Sequence, residues 1–71
     1  MPINPPYTAN IVADIQRQIA AGELKSGDQL PALPALTDHY GCSLGSVRNA
    51  LERLKASGVL TSHQGIGYFV V

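Results

Sequence analysis

Seven consecutive residues, Ser43-Leu44-Gly45-Ser46-Val47-Arg48-Asn49, gather most of the side chains in this 71-residue chain that could read another molecule. An arginine can grip guanine through two parallel hydrogen bonds, or hold a phosphate with the same fork. An asparagine can pair with adenine in the same bidentate way, and a serine can serve a base or the backbone. Ser43 has the residue type of a helix N-cap, and the free amides behind such a cap sit at the positive end of the helix dipole, where a phosphate is welcome. The plainer reading of Arg48, Ser46 and Asn49 is a solvated helix face. Catalysis has no comparable candidate: the chain shows no Ser/His/Asp constellation and no paired carboxylates, and Gly65-Ile66-Gly67 does not stand between a strand and a helix as a dinucleotide loop would. Cys42, His39 and His63 lack the spacing of a metal site, so neither a metal nor a cofactor is expected.

These residues need a scaffold, and the pattern around them supplies one. Val47, Ala50, Leu51 and Leu54 follow one another at i, i+3, i+4 and i+7, the buried stripe of a helix over 43–57, with Gly58 closing it. Leu44, Gly45, Arg48, Asn49, Glu52, Arg53 and Lys55 fall off that stripe. Upstream, Tyr7, Ile11, Ile15 and Ile19 recur every four residues and predict a helix from about Thr8 to Ala21, ended by Gly22. Residues 1–6, rich in proline, form an expected flexible lead-in. Lys25-Ser26-Gly27-Asp28 reads as a turn, and Gln29-Leu30 as a short edge strand. A second, short helix carries Leu33, Leu36 and Tyr40 on one side. It tolerates Pro34 only in its first turn, and Gly41 ends it. After Gly58, Val59-Leu60-Thr61 and Tyr68-Phe69-Val70-Val71 predict two strands around the turn Gln64-Gly65-Ile66-Gly67. The expected fold is mainly α with a small β-hairpin: three helices, the last two joined by a tight turn, and a wing over 62–68.

Length and composition agree with one small domain, residues 7–71. So short a chain buries about 60% of its unfolded surface, and its core has little margin. The single cysteine rules out an internal disulfide, and a reducing cytoplasm is the expected compartment. No apolar run approaches the roughly 20 residues that span a bilayer, so no membrane role is expected. The formal charge is zero, but residues 1–38 carry −2 and residues 39–71 carry +2, so the positive half is the one containing the candidate helix. Helix, tight turn and helix form a unit whose second helix enters the DNA major groove in proteins that use it.

The segments IVADIQRQIAAGELKSGDQLP, YGCSLGSVRNALERLKASGVL and HQGIGYFVV, in that order and spacing, resemble the DNA-binding domain of the GntR family of bacterial transcription repressors. The resemblance covers residues 7–71 and implies a winged helix-turn-helix that binds double-stranded DNA, as a repressor, through Ser43, Leu44, Ser46, Arg48 and Asn49 on the helix and His63, Gln64, Gly65 and Gly67 on the wing. Family members also carry an effector-binding, dimerising domain, which this sequence does not contain. A homodimer, formed only on DNA, is the expected assembly. The sequence departs from the family at Ala32, Leu33 and Pro34, where a helix cap and a DNA-contacting arginine are usual. It departs again at Leu44, where a second arginine is usual, and at Ile66, often basic. Each lost phosphate contact lowers the salt slope by about one unit. Leu33, Leu44 and Ile66 either pack within the fold, or touch thymine methyls or the minor groove, or form an apolar patch for a protein partner. The last reading keeps a protein-interaction module on the same scaffold as the alternative function.

Overall fold

A computed structural model describes residues 7–71; the lead-in expected over residues 1–6 and the side chain of Tyr7 lie outside the described residues. The helices are α1 (Tyr7–Ala20), α2 (Leu33–Tyr40) and α3 (Leu44–Ala56), followed by β1 (Leu60–His63) and β2 (Gly67–Val70). This is the expected order. The first helix ends one residue earlier than its periodicity suggests. The Gly22 amide turns back to the Ile19 carbonyl (3.2 Å) and the Glu23 amide to that of Gln18 (2.8 Å), so Ala21 becomes the cap.

The core is built from the predicted stripes. Ile11 and Ile15 of α1 and Val47, Ala50, Leu51 and Leu54 of α3 are buried, joined by Leu36 of α2, by Leu30 ahead of α2, and by Leu60 and Val70 from the strands. Ile19, Leu33, Tyr40 and Cys42 pack against them in half-buried positions. Each fully buried aliphatic side chain contributes about 1.5–3 kcal/mol of transfer free energy. That makes the α1–α3 contact, the largest between helices, the backbone of the fold.

Pro34 occupies the first turn of α2, where its missing donor costs nothing, and the Ala32 cap offers no side-chain bond. The tight turn between α2 and α3 depends on Gly41. At φ 66° and ψ 36° it adopts the left-handed conformation, and the amides of Gly41 and Cys42 both bond the Thr37 carbonyl, at 2.8 and 3.2 Å. In the hairpin, Leu60 pairs with Val70, Thr61 with Phe69, Ser62 with Tyr68 and His63 with Gly67. The edge strand expected at Gln29-Leu30 is present as a single bridge from Gln29 to Phe69. Hydrogen bonds from Val70 N to Asp28 O (2.8 Å), Gly27 N to Val70 O (2.8 Å) and Leu30 N to Tyr68 O (2.9 Å) extend it. β2 therefore lies between β1 and the 27–30 segment.

Candidate nucleic-acid interface

The start of α3 is held open by its own cap. Ser43 is extended (φ −74°, ψ 158°), and its hydroxyl accepts the Ser46 amide at 3.2 Å. The two hydroxyls, Ser43 Oγ and Ser46 Oγ, lie 3.1 Å apart beside the remaining free amides. Thr8 of α1 donates to the Ser46 carbonyl (3.3 Å), tying the start of one helix to the start of the other. Helical spacing puts Leu44, Arg48 and Glu52 on one ridge and Gly45, Asn49 and Arg53 on the next. Leu44 is 45% exposed, and Arg48 and Asn49 are exposed, while Val47 and Ala50 turn into the core. At Gly45 a Cβ would meet only the Ser43 hydroxyl, 4.0 Å away. Among the described residues Arg48 joins no ion pair; the two bridges present, to Asp14 and Glu23, both belong to Arg17.

The wing is braced from two sides. Its tip is a turn closed by the Ile66 amide on the His63 carbonyl (2.9 Å). Gly67 follows at φ 140°, and a Cβ there would stand 3.2 Å from the Gln29 amide nitrogen. That nitrogen donates to the Ile66 carbonyl at 3.1 Å, so the close approach is also a hydrogen-bonded brace. His63 meets Phe69 edge-on at 5.0 Å, and Ile66, 64% exposed, leads at the tip. From the other side, the Tyr68 hydroxyl donates to Glu52 Oε2 at 2.5 Å, joining wing to α3. That bond, with some burial, pushes the Tyr68 hydroxyl above its ordinary pKa, while the Arg48 charge draws it down. Arg48 therefore stands within electrostatic reach of the clamp.

The sequence-predicted residues thus form two groups. Ser43, Leu44, Ser46, Arg48 and Asn49 share the first two turns of α3; His63, Gln64, Gly65 and Gly67 share the hairpin tip. Sequence reasoning missed Glu52, Gln29 and Thr8, which hold these groups in place. Leu33 packs against the core, so the apolar set at Leu33, Leu44 and Ile66 reduces to Leu44 and Ile66 on the surface.

The polar groups of the α1–α2 corner are spent on one another. Asp14 accepts from Arg17 (2.6 Å), Gln18 (2.9 Å) and, from α2, the Tyr40 hydroxyl (2.7 Å). Tyr40 first, then Arg17, holds the Asp14 carboxyl below its usual range. Burial first, then the bond to Asp14, pushes the Tyr40 hydroxyl up. A largely apolar recess of about 290 Å³ opens beside this corner, lined by Ile15, Leu24, Leu30, Leu36 and Tyr40 among others, with no residue of α3 or the wing. Among the described residues no three His, Cys, Asp or Glu gather as metal ligands, and no helix is long and apolar enough to cross a membrane.

Comparison with known proteins bears on this geometry. Residues 7–70 match the model of a family described as bacterial regulatory proteins, gntR family. The chain is 45% identical over 65 residues to the mannosyl-D-glycerate transport/metabolism system repressor MngR of Escherichia coli K12, covering 92% of this chain and 27% of MngR. It spans about a quarter of the length of MngR and of a second curated relative, the regulator LutR of Bacillus subtilis, to which it is 42% identical over 52 residues. Among solved structures it superposes on the DNA-binding domain of AraR in complex with operator ORX1 with a TM-score of 0.92 at 27% identity, over 100% of this chain and 93% of that one. It also superposes on YtrA from Sulfolobus acidocaldarius, a GntR-family transcription factor, with a TM-score of 0.85 at 32% identity, over 96% and 71%.

Proposed function

The chain belongs to the gntR family of bacterial regulatory proteins and carries its winged-helix DNA-binding domain; from that premise we propose that it represses transcription by laying α3 in the major groove of an operator. Ser43 and Ser46, with the free amides of the helix start, hold a phosphate. Arg48 and Asn49 face base edges, Arg48 gripping guanine O6 and N7. His63, Gln64, Gly65 and Gly67 bring the wing to the neighbouring backbone or minor groove, where the glycines allow close approach. The observation that carries this reading is an exposed Arg48, without an ion pair among the described residues, on the same helix start as the paired serine hydroxyls. The repressor name of MngR and the operator in the AraR complex support it. One such module has modest affinity, so two copies on a symmetric operator are expected, meeting only on DNA.

The test is a footprint of the purified 71-residue chain on the DNA upstream of its own gene, repeated with Arg48→Ala. Protection that weakens as salt rises and fails in the variant is the expected result. Binding indifferent to both salt and Arg48 overturns it. The exposed Leu44 and Ile66 favour one competing reading, a protein-interaction surface on the same scaffold. It would be supported if Leu44→Glu abolished a protein partner while leaving DNA binding intact.

A further inference from the structure

We propose that Leu44 is a specificity-determining residue that reads the methyl group of one thymine in the major groove. The proposal rests on the DNA-binding reading and refines it. Leu44, at the first position of α3, leaves 45% of its surface exposed, and the buried face of the helix begins only at Val47. Next to it, Gly45 has open space where a side chain would stand, so little bulk keeps the backbone from a groove floor. The Ser43 and Ser46 hydroxyls, 3.1 Å apart, stand on either side of Leu44 in the sequence, and the proposed function gives them a phosphate to hold. Arg48 lies one turn further along the same ridge, exposed.

What occupies the space over Leu44 follows from that continuity. The residue sits between a phosphate clamp and a base-reading arginine, so the surface it meets is the groove itself. In the major groove the C5-methyl of thymine is the one apolar group a base presents, and an aliphatic side chain is its natural partner. Leu44 and Arg48 are about 5–6 Å apart along the helix surface, and successive base pairs about 3.4 Å along the duplex. The thymine read by Leu44 therefore lies one or two base pairs from the guanine read by Arg48.

The experiment begins by selecting binding sites for the full 71-residue chain from a random duplex library. Each thymine of the selected site is then replaced in turn by deoxyuridine, which pairs identically but lacks the methyl. At one thymine per half-site, one or two pairs from a guanine, the replacement should weaken binding about fourfold, the worth of one methyl group withdrawn from water. Leu44→Ala, whose fold is checked by circular dichroism, should bind the thymine and deoxyuridine sites alike. If no thymine is methyl-sensitive, or if Leu44→Ala keeps the same sensitivity, the assignment is wrong while DNA binding stands. If the library yields no sequence and binding ignores salt, the DNA-binding reading itself fails and takes this assignment with it.

Discussion

The α1–α2 corner and the α3–wing end of this molecule use charge in opposite ways. At the corner, Asp14 takes hydrogen bonds from Arg17, Gln18 and Tyr40, and Arg17 also faces Glu23 across 3.7 Å. At the other end, the described Arg48, Arg53 and Lys55 form no ion pair, and the one acidic group, Glu52, is committed to the Tyr68 hydroxyl. A group satisfied inside the chain holds the fold together. A group left open is available to a ligand. The zero net charge of the chain hides this division, because the cancelling charges lie mostly in the half that does not face DNA in the proposed complex.

The contrast is most exposed to test at Arg48. Arg48→Ala should lower affinity for a selected duplex about 5- to 150-fold, the worth of one bidentate base contact of about 1–3 kcal/mol, with little change in melting temperature. Fluorescence anisotropy against thermal unfolding separates the two effects. A drop in stability instead of affinity would erase the distinction between the two ends. Tyr40→Phe should do the reverse. Loss of a hydrogen bond to a carboxylate costs about 1–2 kcal/mol of stability by denaturant titration, and DNA affinity per folded molecule should not move.

The pH dependence of stability sharpens the same point. The folded Asp14 carboxyl has a lowered pKa, so its contribution is present above the unfolded value of about 3.9 and is lost as pH falls through the folded one. The folded Tyr40 hydroxyl has a raised pKa, so its contribution is present below about pH 10 and is lost as pH rises through the folded value. Asp14→Asn should remove the acid limb and lessen the alkaline one, since burial as well as the bond to Asp14 raises Tyr40. Equal acid and alkaline losses in wild type and variant would show that other groups govern both. A smaller effect is expected at the clamp: Tyr68→Phe should cost under about 1 kcal/mol, as its partner is exposed, yet weaken DNA binding a few-fold by freeing the wing. The smallest is at Arg17. Arg17→Gln should leave the salt dependence of DNA binding as it was, because that guanidinium is occupied within its own helix and the following turn.

The sequence reveals the parts of this molecule that are local. Helical periodicity marks Ile11, Ile15, Val47, Leu51 and Leu54 as core, a serine marks the start of α3, and glycines mark the wing tip. The pairing of Arg17 and Gln18 with Asp14 is also local, three and four residues along one helix. The braces are a different matter. Tyr40 reaches Asp14 across 26 residues, Gln29 reaches Ile66 across 37, and Tyr68 reaches Glu52 across 16. Each depends on how helices and strands pack, and no spacing rule places them. For the same reason Leu33, Leu44 and Ile66 look alike as apolar departures in the sequence, although packing half-buries the first and leaves the other two exposed.

One consequence lies in the order in which the sheet is made. β2 runs between β1 and the 27–30 segment, and Val70, 5% exposed, exchanges hydrogen bonds with Gly27 and Asp28. The middle of the sheet is thus the part that follows both of its neighbours in chain order. Until β2 has been made, β1 and the 27–30 segment lack the strand they both pair with. A chain cut before Gly67 would therefore yield a sticky, protease-sensitive product rather than a slightly shortened domain.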